Sequence, residues 1–306
     1  MQKTRPSVSD VITIPAFAKI NWMLRVLGRR PDGYHQIETI LQTVTLHDRL
    51  SFWSSPDPDI TFSCDSPELP ADRSNLVSRA AHALKARHSI KIGAGIRLEK
   101  RIPVGSGLGG GSSDAAVALI ALSHLWKLRL NQKELVETAA QLGADVPFFL
   151  FGGTALGVGT GTEISPLPDL PDQFLLVVMP NTKVSTKTAY DSLNAPALTT
   201  VTGDTILSSS RATADFDLSY PSGLQNDFES VAFRSSPEVE RARDALLHAG
   251  ARRALLAGSG ASVFGVFENK EAQQRAIQAL KMEAGWRLFP CKTVGRERYA
   301  GAMNAK

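Results

Sequence analysis

The chain has 306 residues, of which 43% are hydrophobic and 21% charged, with a formal net charge of +4. These proportions exclude a disordered chain, a collagen and a coiled coil, and the length suits one large domain or two ordinary ones. No apolar run approaches the ~20 residues of a membrane helix, and the two cysteines, Cys64 and Cys291, are too few for a disulfide framework or a zinc site.

No apolar stretch of the signal-peptide kind follows Lys3 and Arg5 near the start. A reduced, cytoplasmic protein is the expectation. The mild positive excess suits a phosphate-bearing ligand without specifying one.

Taken in order, residues 11–19 alternate loosely and open with β-branched side chains, which predicts a strand. Further strands are predicted at 46–53 and 60–62, around a turn-rich break. Residues 75–88 form an Ala/Leu-rich helix with Asp72 or Ser74 as candidate cap. Ile96 and Leu98 alternate with Arg97 and Glu99, as in a half-buried strand.

A glycine-rich loop spans 103–113, followed by an apolar helix from about Asp114 to 128. A second helix, 131–142, is closed by Gly143. Residues 147–161 mix aromatic strand formers with glycines. Pro166, Pro168 and Pro171 mark the expected domain boundary, giving domains 1–165 and 166–306.

The continuous apolar run 174–179 is predicted to be a central strand. Residues 195–222, rich in Thr, Ser and Pro, are expected to form a surface excursion. A helix at 237–249 has Ser236 as cap and Pro237 at its first position. Strand, loop and strand follow over 255–267, then a helix at 271–283 and a strand at 286–289. There is no regular βαβ rhythm, so the fold class expected is α+β.

The most informative segment is Pro103-Val104-Gly105-Ser106-Gly107-Leu108-Gly109-Gly110-Gly111-Ser112-Ser113. Glycines let a backbone approach an anion and turn successive N–H groups into one concavity. The helix behind adds free amides and the positive end of its dipole. Ser112 and Ser113 can donate hydroxyls to a phosphate or an oxygen to Mg²⁺. The plainer reading is a flexible turn with a Ser-Ser-Asp cap, but five glycines and two serines before an apolar helix favour anion binding.

Gly105-x-Gly107-x-x-Gly110 formally fits the dinucleotide fingerprint, yet no buried strand precedes it and no strand-ending acid sits ~20 residues on. A Walker A loop requires a lysine that this loop lacks. The His-Arg-Asp and Asp-Phe-Gly strings of protein kinases do not occur.

The loop resembles the ATP-binding loop of the galactokinase–homoserine kinase–mevalonate kinase–phosphomevalonate kinase (GHMP) superfamily. Three further strings narrow the resemblance to members that phosphorylate a cytidyl-bearing sugar alcohol. They are Pro15-Ala16-Phe17-Ala18-Lys19-Ile20-Asn21, then Gly28-Arg29-Arg30-Pro31-Asp32-Gly33-Tyr34-His35, then Leu142-Gly143-Ala144-Asp145-Val146-Pro147-Phe148-Phe149. Gly258-Ser259-Gly260-Ala261-Ser262-Val263-Phe264 resembles the superfamily's C-terminal glycine loop.

The resemblance implies a two-domain fold: an N-terminal domain like the second domain of ribosomal protein S5, a ferredoxin-like C-terminal domain, and an active site in the cleft between them. It also implies ATP and Mg²⁺ as cofactors and a small cytidyl substrate. Nucleic acid and membrane are not expected as partners, and the chain would be a monomer or homodimer.

On its own, Lys19 between Ala18 and Ile20 reads as a snorkelling surface lysine, and Asp145 as a turn residue. The resemblance makes them the catalytic pair, with Asp145 as base. Tyr34 and His35 follow a Pro-Asp-Gly turn, and unaided they would read as packing at a helix start. By resemblance Tyr34 stacks on the cytosine, His35 hydrogen-bonds it, Asn21 touches the substrate and Tyr190 closes the other side of the base.

Lys100 and Asn75 are expected beside the adenine or the phosphates. The metal ligands are not assigned beyond Ser112 as a candidate. Two alternatives stay open: a mevalonate- or homoserine-type kinase of the same superfamily, and a non-catalytic ATP sensor. The first lacks a use for Tyr34 and His35, and the second has no need of both Asp145 and Lys19.

Overall fold

The computed structural model describes residues 11–182, 184, 186–193, 195–198 and 224–304. Most of the Thr/Ser-rich 195–222 segment, from 199 onward, lies outside the described residues.

Two long strands, β1 (Ile12–Arg29) and β2 (His35–Ser55), form an antiparallel hairpin. Pro31-Asp32-Gly33 turns it, with Gly33 at φ +87°, a conformation that favours glycine. β2 pairs antiparallel with β4 (Gly93–Glu99), which pairs parallel with β3 (Ile60–Cys64). β5 (Thr154–Gly159) adds to β2 and carries β6 (Glu163–Pro166).

The helices α1 (Leu76–His88), α2 (Gly110–Leu125) and α3 (Gln132–Leu142) accompany this sheet. α2 is apolar all round and is central, burying Ala115, Val117, Leu119 and Leu122 against Ile14, Phe52, Leu84 and Phe148.

The second sheet contains β7 (Phe174–Met179), β9 (Arg253–Leu256), β10 (Val263–Phe267) and β11 (Arg287–Lys292), in the order β11-β7-β10-β9 and antiparallel throughout. The helices α6 (Pro237–His248) and α7 (Lys270–Leu280) connect its strands. The sequence β7-α6-β9-β10-α7-β11 is the split βαβ arrangement of ferredoxin-like domains. Two shorter helices, α4 (Thr186–Asp191) and α5 (Glu229–Ser235), and the two-residue strand β8 (Gln225–Asn226) lie on the connection, and β8 pairs parallel with β1.

A third apolar cluster joins the two sheets. Ile20, Trp22, Ile40 and Val44 of the hairpin pack with Leu175, Val177, Phe264 and Cys291 of the second sheet. Trp22 meets Phe264 edge to face at 5.7 Å. The chain then returns. Val294 and two residues of α8 (Arg296–Met303), Tyr299 and Met303, belong to the first core. The Tyr299 hydroxyl donates to the Phe149 carbonyl at 2.5 Å.

The α+β class holds, as two sheets rather than one parallel sheet. The 174–179 run is indeed central, between β11 and β10. Some local expectations need correcting. β1 runs on to Arg29 because β2 pairs with it throughout. His35 opens a strand, not a helix. The cap of α1 is Asn75 itself, whose side chain accepts the Val77 N–H at 2.9 Å. α2 begins at Gly110, so the last glycines and both serines lie inside the helix. Among the described residues, no helix is long and apolar enough to cross a membrane.

Candidate active site

The glycine loop folds as a cradle. Gly105, Gly107 and Gly109 take φ of +67°, +78° and +70°. Left-handed glycines alternating with ordinary residues make the intervening N–H groups converge. Gly109 caps α2 without a side-chain hydrogen bond, leaving the first amides of the helix available to an anion. The cavity above holds about 370 Å³ and is walled by the loop from Pro103 to Ser112 with Asn75, Leu76 and Lys100. Ser113 is fully buried and does not line it.

Lys100 is 6% exposed at its side chain and bridges two buried carboxylates, Asp48 and Asp114, the latter at 3.0 Å. Asp48 also accepts the N–H groups of Arg101 and Ile102, at 2.5 and 2.8 Å. Lys100 lies before the loop and Asp114 after it, so the ion triad clamps both ends of the cradle. Burial works against the charge on Lys100, but the two carboxylates outweigh it and raise its pKa. Burial pushes the Asp114 carboxyl up, although Lys100 opposes the shift. Lys100 is therefore a brace at the cradle's base as well as part of its wall.

Deeper in, β1 delivers Lys19, only 3% exposed. Its backbone N–H bonds to the Leu108 carbonyl of the glycine loop at 2.9 Å. Its Nζ lies 2.9 Å from Asn21 Oδ1 and 3.5 Å from Asp145 Oδ2. Asp145 sits in the turn between α3 and a short 3₁₀ segment, Pro147–Leu150, with its side chain 38% exposed. Asn21 and Asp145 thus meet Lys19 from different elements.

The second glycine loop closes the far wall. A Cβ on Gly107 would sit 1.9 Å from the Ala257 carbonyl oxygen, and one on Gly258 would sit 2.7 Å from the Gly107 oxygen. The two loops meet backbone to backbone, tied by Ser262 N–H to Ser106 O at 3.2 Å. Asn226 holds the second loop by donating to the Leu256 and Gly258 carbonyls, at 2.9 and 2.7 Å.

A larger cavity of about 940 Å³ opens beyond, lined among others by Arg29, Arg30, Tyr34, His35, Thr160 and Tyr190. Tyr34 is 67% exposed at the hairpin tip. Asp32 accepts the Tyr34 N–H at 3.1 Å and pairs with Arg30 at 3.0 Å, which fixes the tip. The Arg30 hydrogen bond holds the Asp32 carboxyl below its usual range.

His35 lies ring to ring with Tyr190 at 4.9 Å, and Tyr190 meets Phe228 edge-on at 4.7 Å. Burial first, and the Arg29 charge second, lower the His35 pKa. Its imidazole is then neutral near pH 7, with one donor and one acceptor nitrogen. Burial, with Asp145 nearby, pushes the Tyr190 hydroxyl up to about 12.

The cavity around Lys19 and Asp145 joins these two chambers. It shares Gly107, Gly109 and Ser112 with the glycine cradle, and Ala144, Thr160 and Tyr190 with the aromatic chamber. A phosphate donor and a bulky acceptor can therefore meet over Lys19 and Asp145.

Sequence reasoning missed Thr39, Thr160 and Phe228, which line this middle cavity, and Asp48. Each reads locally as an ordinary strand, turn or helix-flanking residue. Asp48 stands between His47 and Arg49, so nothing in its local sequence flags it. Among the described residues, no group of three His, Cys, Asp or Glu side chains is placed to hold a metal.

Comparison with known proteins agrees with this geometry. The profile of the GHMP kinases N terminal domain matches residues 75–153, and that of GHMP kinases C terminal matches residues 215–284. A 4-diphosphocytidyl-2-C-methyl-D-erythritol kinase from Lachnoclostridium phytofermentans is 40% identical, over 89% of this chain and 94% of its own. One from Pelotomaculum thermopropionicum is 43% identical over 87% of this chain and 92% of its own. A crystal structure of 4-(cytidine 5'-diphospho)-2C-methyl-D-erythritol kinase superposes with a TM-score of 0.75 at 35% identity, covering 93% of this chain and 100% of that one. By sequence and by fold, the chain belongs to the 4-diphosphocytidyl-2-C-methyl-D-erythritol kinase family of GHMP kinases.

Proposed function

We propose that the protein transfers the γ-phosphoryl group of ATP to the 2-hydroxyl of 4-diphosphocytidyl-2-C-methyl-D-erythritol, a step toward isopentenyl diphosphate by the non-mevalonate (deoxyxylulose phosphate) route. The carrying observation is the row of three adjoining cavities with the Lys19–Asp145 pair, 3.5 Å apart, in the middle one.

In this reading ATP lays its phosphates over the cradle from Gly105 to Ser112, with Asn75 and Lys100 beside the adenine or the phosphates. Asn21, Tyr34, His35 and Tyr190 receive the cytidyl acceptor, the aromatic face and the neutral imidazole reading the base. Asp145 takes the proton of the attacking hydroxyl, and Lys19 neutralises charge gathering on the transferred oxygens. The loose transition state of phosphoryl transfer puts the weight on positioning, which a buried lysine held by Asn21 provides.

Mg²⁺ arrives with the nucleotide. Ser112 lines both the cradle and the middle cavity. It fits an ion held mainly by phosphate oxygens and water, which would offset phosphate charge when bound. The working division of the chain is 1–165 and 166–306, with the segment after Val294 returning to the first core, and the reaction is placed in the cytoplasm.

The mevalonate- and homoserine-type alternatives leave the aromatic chamber of about 940 Å³ without an occupant. Release of ADP, measured with the cytidyl acceptor, mevalonate and homoserine side by side, tests the reading. Turnover with the cytidyl acceptor alone is expected; turnover with either small alcohol in its place would overturn it.

A further inference from the structure

The order of hydrogen bonds behind Lys19 has a direction. A threonine hydroxyl has one proton to give. That of Thr39 goes to the Met23 carbonyl, at 2.7 Å. The same oxygen therefore meets Asn21 Nδ2, also at 2.7 Å, as an acceptor. The two ends of an asparagine amide have nearly the same shape, and their neighbours decide which way round they sit. Thr39 claims the NH₂ end, so Oδ1 turns to Lys19 Nζ at 2.9 Å. Reversed, the amide would set its own donors against the ammonium.

Two features make this chain of contacts consequential. Asn21 and Thr39 are each 2% exposed, so water is a poor substitute for a lost partner. The strand pairing also shifts register between Asn21 and Met23, which face Leu41 and Ile40, one step from the Leu24–Thr39 pair. Such irregularities re-aim side chains beside active sites.

We propose that Thr39 is a positioning residue for phosphoryl transfer: its hydroxyl fixes the Asn21 amide, which in turn holds the Lys19 ammonium toward Asp145. The proposal rests on the reading of Lys19 and Asp145 as the reacting pair. It assigns Thr39 no contact with the reacting atoms.

The test compares Thr39→Val, which keeps the shape and loses the hydroxyl, with Thr39→Ser, which keeps the hydroxyl, in the full-length enzyme. Asp145→Asn is assayed in parallel. Thr39→Val is expected to lower kcat roughly tenfold to a hundredfold, the scale of a misplaced catalytic group. KM for ATP and for the cytidyl acceptor should stay near wild type, and Thr39→Ser should recover most of kcat.

Wild-type kcat in Thr39→Val, with Asp145→Asn inactive, would overturn the proposal and leave the catalytic pair standing. So would a rise in acceptor KM at unchanged kcat, which would make Thr39 a binding residue. Equal losses in the Val and Ser variants, with matching falls in melting temperature, would reduce Thr39 to packing and also overturn it. Full activity in Asp145→Asn would remove the pair and the proposal together.

Discussion

Replacing Asp145 by Asn keeps its size and one hydrogen-bonding oxygen but removes the charge that, in the proposed mechanism, takes a hydroxyl proton. kcat is expected to fall by roughly 10²–10⁴, with both KM values little changed, in steady-state assays. Tyr34 gives the complementary expectation. It stands exposed on the rim of the aromatic chamber, so Tyr34→Ala should cost little stability. Loss of the proposed base stacking is worth ~1–3 kcal/mol, about fivefold to 150-fold in KM for the cytidyl acceptor. KM for ATP should not move, and the reverse pattern would put Tyr34 on the nucleotide side.

At this scale the sequence is informative where chemistry demands an unusual residue in an unusual place. A lysine in an apolar strand and an acid between Ala144 and Val146 stand out once their neighbours match a known pattern. Thr39 does not, because a threonine in a strand is ordinary. Its meaning depends on a register shift in the partner strand. Asp48 is hidden for a similar reason, since the lysine that it meets lies 52 residues away.

Two glycine loops contributed by different sheets make one wall, and this is the element-scale feature that the site depends on. Gly107 is the contact point: a methyl group there would sit 1.9 Å from a backbone oxygen, at a φ of +78° that disfavours any side chain. Gly107→Ala is expected to drive the loops apart. KM for ATP should rise and kcat fall together, while binding of the cytidyl acceptor, followed by isothermal titration without nucleotide, should weaken less. Equal loss of both ligands would show that the damage is not confined to the cradle.

Among the elements, α3, β7 and the β9–loop–β10 unit were legible because period, caps and turn residues agree locally. The start of α2 was not. Gly110, Gly111, Ser112 and Ser113 have poor helix propensity, and they are helical because Ala115 to Leu122 anchor the helix in the core. The far half of β1 escaped notice because Asn21, Arg25 and Gly28 interrupt its apolar pattern, and pairing along β2 overrides that.

Across the whole molecule the interior is packed as three apolar clusters, and two of them draw residues from both sheets: one joins Ile20, Trp22 and Ile40 to Leu175 and Phe264, the other Leu24 and Ile37 to Leu176 and Val178. The middle cavity is lined from both halves, by Lys19 and Asn21 of β1 and by Gly258 and Ser259 of the second glycine loop, so relative movement of the two halves would alter it directly. α8 strengthens the connection. Thr43 and Gln42 of β2 donate to the Val294 carbonyl at 2.8 and 3.0 Å, and Tyr299 reaches Phe149. Tyr299→Phe leaves that buried carbonyl without its partner, at a cost of about 1–3 kcal/mol. Thermal unfolding should remain a single transition at lower temperature; a split into two transitions would mean that the halves unfold separately. Neither the shared clusters nor the return of α8 was legible in the sequence, because both join segments far apart along the chain.

The placement of Tyr299 and Met303 in the first core also bears on how the protein is made. A ribosome delivers the hairpin and α2 early, yet the last pieces of their core are synthesised only after the whole second sheet. Until then the nascent chain carries an open apolar seam where α8 will dock, the kind of exposed surface that draws chaperones and promotes aggregation. Folding of the first half is thus completed only after the second sheet has been made.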